Sequence, residues 1–154
     1  MYCHYDRYWP LVVHEFSGVQ TLAEHEESLE VWGQCFLRKE PFVIFRIFRD
    51  EDALIHPAGA GKMTKNWLQN GAAESIKNSV KAMVNIVPEH AYERMKHMSV
   101  SAVFGVPGGI FRSVDDAVEW CRANVDGTGI LSSDFALAKL GSFLTEIKQA
   151  DKAI

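Results

Sequence analysis

Residues 41–50 read "PFVIFRIFRD", from Pro41 to Asp50. Between Phe42 and Phe48 every residue but Arg46 is apolar, with no polar alternation. A strand with one wet face alternates, whereas a strand covered by helices on both faces does not. The run therefore predicts a central strand in an α/β fold. It also sets a problem. Arg46 places a charge inside that strand, and a charge there needs a partner or a ligand. Guanidinium suits two-pronged contact with a carboxylate or phosphate. An internal ion pair with Glu24 or Glu27 is one solution, and a bound anion is the other.

Upstream, Leu11 to Phe16, "LVVHEF", is short and β-branched, and Ser17-Gly18 ends it, so it reads as a strand. Thr21 with Glu24 forms a capping box. Leu22, His25, Leu29, Trp32 and Phe36 then follow at helical spacing. Downstream of the central strand lies a loop of roughly a dozen residues, longer than the usual connection of about 2–6. Residues 62–87 read as helix: Met63, Trp67 and Leu68 in a first segment, then Ile76, Val80, Met83, Val84 and Val87 in a second, with Gly71 between. Pro88 stops it, and "EHAYERMKHM" forms one more short helix. "SVSAVFGV" reads as a third strand, closed by the turn at Pro107–Gly109. Ser113 and Asp116 cap a helix with Val114, Ala117, Val118, Cys121 and Val125 on its buried stripe. Residues 126–129 form a linker. A last helix starts near Ser132 or Ser133 and carries Leu140, Phe143, Leu144 and Ile147 on one side. The N-terminal residues, Cys3-His4 included, are expected to fray.

Strands alternating with helices imply an open, mostly parallel sheet flanked by helices, with ligands beyond the carboxyl ends of the strands. The chain of 154 residues divides into one α/β domain over residues 1–130 and a helical extension over 131–154. The extension is expected to pack on the sheet or on a second subunit, so a homodimer is possible.

Composition removes several functions. The formal net charge is −4 and no basic stripe exists, so nucleic acid is not an expected partner. No apolar run approaches the ~20 residues of a membrane span. The first ten residues lack the layout of a signal peptide. The 3 cysteines, Cys3, Cys35 and Cys121, are widely spaced, which suits a reducing, cytoplasmic setting and no disulfide framework.

Motifs for chemistry are incomplete. "HPAGAGKMT" at residues 56–64 resembles a phosphate-binding loop but puts His56 where the first glycine belongs and Met63 where the hydroxyl belongs. What remains is a helix start with Lys62 beside it, able to hold a carboxylate or phosphate. Glu93 and His97 stand one helical turn apart without the H-E-x-x-H zinc signature, so no metal or other cofactor is expected. His14 and Glu15 point to opposite faces of their strand and form no dyad. The candidate ligand-binding residues are Arg46, Arg49, Asp50, His56, Lys62, Gly105 and Gly108. No catalytic residue is assigned.

"FSGVQTLAEHEESLE" after the first strand, the apolar strand ending "FRD", and "VSAVFGV" followed by "FRSVDDAVEWC" resemble the STAS-like family over roughly residues 10–125. The resemblance implies an open β/α sheet and a non-catalytic role in protein or small-ligand binding. The lack of any intact catalytic constellation points the same way, to a module for a partner protein or a small anionic or lipid-like ligand. Regulated members carry a phosphorylatable serine at the helix after a central strand, where this chain has "HPAGAGKMT", with only Thr64 as a hydroxyl. Two rival readings are a small enzyme using Arg49, Asp50, His56 and Lys62, with Asp50 or His56 as general base, and a structural oligomer joined through the last helix.

Overall fold

A computed structural model describes residues 1–125, 141–143 and 145–146. Most of the last helix read from the sequence, from residue 132 onward, lies outside the described residues. The strands are β1 (Tyr2–Tyr8), β2 (Leu11–Phe16), β3 (Phe42–Phe48), β4 (Val80–Ile86) and β5 (Gly108–Phe111). They form one sheet in the order β1-β2-β3-β4-β5. β1 runs antiparallel to β2, and every other neighbouring pair is parallel. The helices are α1 (Leu22–Leu37), α2 (Ala60–Trp67), α3 (Ala73–Ser79), α4 (Glu89–Met95), α5 (Val100–Phe104) and α6 (Val114–Asn124). The fold class is α/β, with a mostly parallel five-stranded sheet.

Local chemistry explains most of these elements. Thr21 Oγ1 accepts from the Glu24 amide while the Glu24 carboxylate accepts from the Thr21 amide, so the expected capping box opens α1. Ser113 accepts from the Asp116 amide and opens α6. Of the α6 stripe, Ala117, Val118, Cys121 and Val125 are buried and Val114 is partly buried against them. β3 is buried on both faces. Phe42, Ile44 and Phe45 are each 0 % exposed, and complete burial of such a side chain contributes about 1.5–3 kcal/mol.

Three expectations are corrected. Residues 80–87 do not continue a helix. The chain breaks at Gly71, whose φ of 115° no other residue type adopts readily, and turns into β4 at Val80. The apparent helical spacing of Val80, Met83 and Val84 comes from a strand buried on both faces, with an irregularity in its pairing to β3 after Val80. "SVSAVFGV" is α5 and not a strand. Ser99 caps it by accepting from the Ala102 amide, and Gly105 ends it in the left-handed region at φ 72°. The N-terminus does not fray but forms edge strand β1, with Tyr2 buried.

The two sheet faces differ. Leu11, Val13, Val43, Phe45, Ile47 and Val84 meet α6 on one face. Phe143 joins them, with its ring edge-on to Tyr5 and Tyr8 at 5.1 and 5.3 Å. Val12, Phe16, Phe42, Ile44 and Met83 meet α1, Ile76 of α3 and Val100 of α5 on the other. A polar row interrupts this second face.

Candidate functional site

The strand register builds that row. His4 pairs with His14, His14 with Arg46, and Arg46 with Asn85, across four neighbouring strands. Neighbouring strands lie about 4.8 Å apart, so these side chains stand side by side on one face. Two residues closer to the carboxyl ends, Phe16 pairs with Phe48. Their rings stack 5.0 Å apart at 12°. The Arg46 guanidinium lies over both rings, 5.8 Å from Phe16 and 5.4 Å from Phe48.

Arg46 has few polar partners. Its Nη1 donates to Asn85 Oδ1 at 3.4 Å, a long bond, and Asn85 Nδ2 reaches the Gly109 carbonyl at 3.5 Å. The Nε is enclosed and makes no hydrogen bond. Among the described residues no carboxylate pairs with Arg46, so the expected ion pair with Glu24 or Glu27 does not form. Glu24 instead closes the α1 cap and meets the N-terminal ammonium at 3.3 Å. Burial lowers the Arg46 pKa to about 10, which leaves it charged at neutral pH.

Burial likewise holds His14, His25 and His56 toward their neutral forms. His14 is 0 % exposed, and burial, then Arg46, then His4 push its pKa down to about 3. The Tyr2 hydroxyl lies 3.3 Å from His14 Nδ1, while His14 Nε2 is enclosed and unpartnered. If the hydroxyl donates to Nδ1, Nε2 carries the proton and is a second unused donor. Burial raises the Tyr2 pKa, so the phenol keeps its proton. His25 of α1 meets Thr64 Oγ1 of α2 at 2.8 Å. Its pKa is lowered by burial, then by His56 and Arg46. His56, at the surface in the loop before α2, is lowered by partial burial and then by Arg46.

The other sequence-predicted residues go elsewhere. Arg49 Nε pairs with Glu15 Oε1 at 3.0 Å, among the side chains of the opposite face. Both Asp50 oxygens accept from the Gly18 amide, at 3.1 and 3.0 Å, and Oδ1 also accepts from the Ala53 amide at 2.9 Å. Asp50 thus ties the turn after β2 to the loop after β3. Lys62 is exposed in the first turn of α2. Gly105 and Gly108 precede or begin β5, so they lie toward the amino side of the sheet and not at its carboxyl ends. Gly108 is there for packing: a Cβ would stand 2.3 Å from the Met83 carbonyl oxygen. Of the seven, only Arg46 stands in the polar row, and His56 lies near enough to feel its charge. Sequence reasoning missed His14, Asn85, Phe16 and Phe48 as neighbours of Arg46.

A separate cavity of about 70 Å³ lies against β1 and α1, lined by His4, Asp6, Val12, Gln34, Cys35 and Arg38 among others. It is water-sized, far below the ~300 Å³ at which ligand pockets begin. Burial raises the Cys35 thiol to about 11, so no thiolate forms there at neutral pH. Among the described residues no three His, Cys, Asp or Glu side chains converge as a metal would require, and no helix is long and apolar enough to cross a membrane. Glu93, half of the weak metal pair, meets Lys96 Nζ at 2.6 Å. No family model, curated protein or solved structure matches the chain.

Proposed function

We propose that this chain is a non-catalytic, STAS-like binding module that holds a small anion on the β2–β4 sheet face beside Arg46. One observation carries the reading. Arg46 is charged, largely enclosed and without a carboxylate among the described residues, and its Nε has no acceptor. A cation largely out of water without a counter-charge is costly, and an anion on the part-exposed guanidinium would offset that cost. The position agrees with the usual site of ligands near the carboxyl ends of parallel strands. The enzyme reading draws less support, because Asp50 and Arg49 are engaged in bonds that hold the fold.

The test is native mass spectrometry of the protein purified from its own source, beside a denatured control and the Arg46→Met variant. The expected result is a small anion retained by the native protein and lost from the variant. An apo protein that no added anion stabilises, or a ligand retained equally by the variant, overturns the reading. Circular dichroism checks that the variant is folded.

A further inference from the structure

We infer that two copies of this chain pair antiparallel through the outer edge of β1, with Cys3 of each copy at the two-fold axis.

The ladder between β1 and β2 sets which backbone groups face outward. The Met1 ammonium donates to the Ser17 carbonyl, and the Ser17 amide donates to the Met1 carbonyl at 2.9 Å. Residues that exchange both bonds form a hydrogen-bonded pair, and such pairs alternate along an antiparallel ladder. The register runs on through Tyr2–Phe16, Cys3–Glu15 and His4–His14. Cys3 therefore bonds to Glu15, while the N–H and C=O of Tyr2 and of His4 point away from β2. The Phe16 carbonyl agrees, because it turns to the other side and accepts from the Arg49 amide at 2.9 Å. β1 ends the sheet, and no strand among the described residues lies beyond it.

This edge is unguarded where those groups lie. Proteins blunt open edges with charges, proline, bulges or short strands. In β1 the charges Asp6 and Arg7 and the irregularity in pairing fall between Tyr5 and Tyr8, at the far end. The stretch Tyr2-Cys3-His4-Tyr5 contains no Asp, Glu, Lys, Arg or Pro. The opposite edge, β5, is only 4 residues long.

A second copy fits because the stretch is complementary to itself. With Tyr2 of one chain opposite His4 of the other, every outward donor and acceptor of these residues finds a partner. Cys3 then meets Cys3 in a non-hydrogen-bonded pair, where Cα atoms stand about 4.5 Å apart. Asp6 and Arg7 fall outside the overlap, so no like charges meet. The two-fold closes the assembly, whereas β1 on the β5 of a copy would leave an edge open for a further copy.

The test is sedimentation equilibrium of the full chain without an N-terminal tag, under reducing conditions and from about 5 to 500 µM. Wild type is compared with His4→Pro and Cys3→Lys. His4→Pro removes an outward N–H and no bond within the chain, a place where an edge strand tolerates proline. Cys3→Lys sets its ammonium beside Glu15 of its own strand pair but against another ammonium across the axis. In parallel, copper phenanthroline oxidises the thiols, and a non-reducing gel reads the crosslink. Cys35 and Cys121 are buried, which leaves Cys3 as the reporter.

The expected result is a wild-type dimer that each variant weakens at least about tenfold while keeping its circular dichroism, and a crosslink that Cys3→Ser abolishes. Cys3→Lys decides alone if His4→Pro does not fold. A wild-type monomer across the whole range overturns the interface, and so does a dimer that a folded variant leaves intact. A dimer that the variants weaken but that Cys3 does not crosslink overturns the Cys3 axis.

Discussion

Two arginines three positions apart on β3 and its end meet opposite conditions. Arg49 Nε lies 3.0 Å from Glu15, with 16 % and 6 % of the two side chains exposed, on the face covered by α6. Arg46, on the face covered by α1, has an amide oxygen at 3.4 Å, two aromatic rings and an enclosed Nε without acceptor. β2 therefore provides a carboxylate for Arg49, through Glu15, and none for Arg46, beside which it places His14. A buried pair can be structural; a largely enclosed cation without a carboxylate is the feature on which the proposed anion site rests.

The largest expected effect comes from removing the Glu15 carboxylate, one partner of Arg49. Glu15→Ala should destabilise the protein by about 3 kcal/mol in urea unfolding at pH 7. Arg46→Met should do the opposite and stabilise the apo protein by about 1 kcal/mol, because it removes a desolvated charge and keeps the side-chain length. Equal losses in the two variants would erase the distinction between the arginines.

The next effect sharpens the comparison through pH. His14 beside Arg46 has its folded pKa near 3, below the unfolded value of 6.5. Between those values the unfolded state binds more protons, so stability rises with pH there. The contribution is complete above pH 6.5 and is lost as pH falls toward 3, by at most about 1.4 kcal/mol per pH unit. Urea midpoints at pH 7, 6 and 5 should therefore fall less steeply in His14→Gln than in the wild type, and parallel slopes would show that His14 is solvated. The smallest effect is expected from Asn85→Ala. Its two long hydrogen bonds are worth about 1 kcal/mol or less together, measured in the same urea assay. A loss above 3 kcal/mol would make Asn85 a true anchor of Arg46 and weaken the case for a ligand.

Much of the frame was legible because it rests on local rules. β2, β3, the Thr21 box and the α6 stripe all follow from short-range pattern. The misread pieces are those where two periods compete. Buried β4 carries apolar residues at spacings that a helix shares, and its true boundary is set by Gly71 and by pairing with β3. In α5, the run "SVSAVFGV" reads as a strand, while the Ser99 cap and the left-handed Gly105 decide for a helix. The site was half legible for the same reason. Arg46 announced itself as a charge in an apolar strand, but its neighbours are fixed by register. Asn85 sat inside the misread segment, and His14 acquires meaning when β2 is laid beside β3. The glycines Gly105 and Gly108 were drawn to the strand ends by the mistaken third strand.

Asp50 has a further consequence. One carboxylate accepts from the amides of Gly18 and Ala53, which belong to connections in different parts of the chain. Two loops hung on a common acceptor cannot loosen independently. Their amide protons should exchange with solvent in a single cooperative step, so the rim of the sheet at the carboxyl ends of β2 and β3 breathes as one unit.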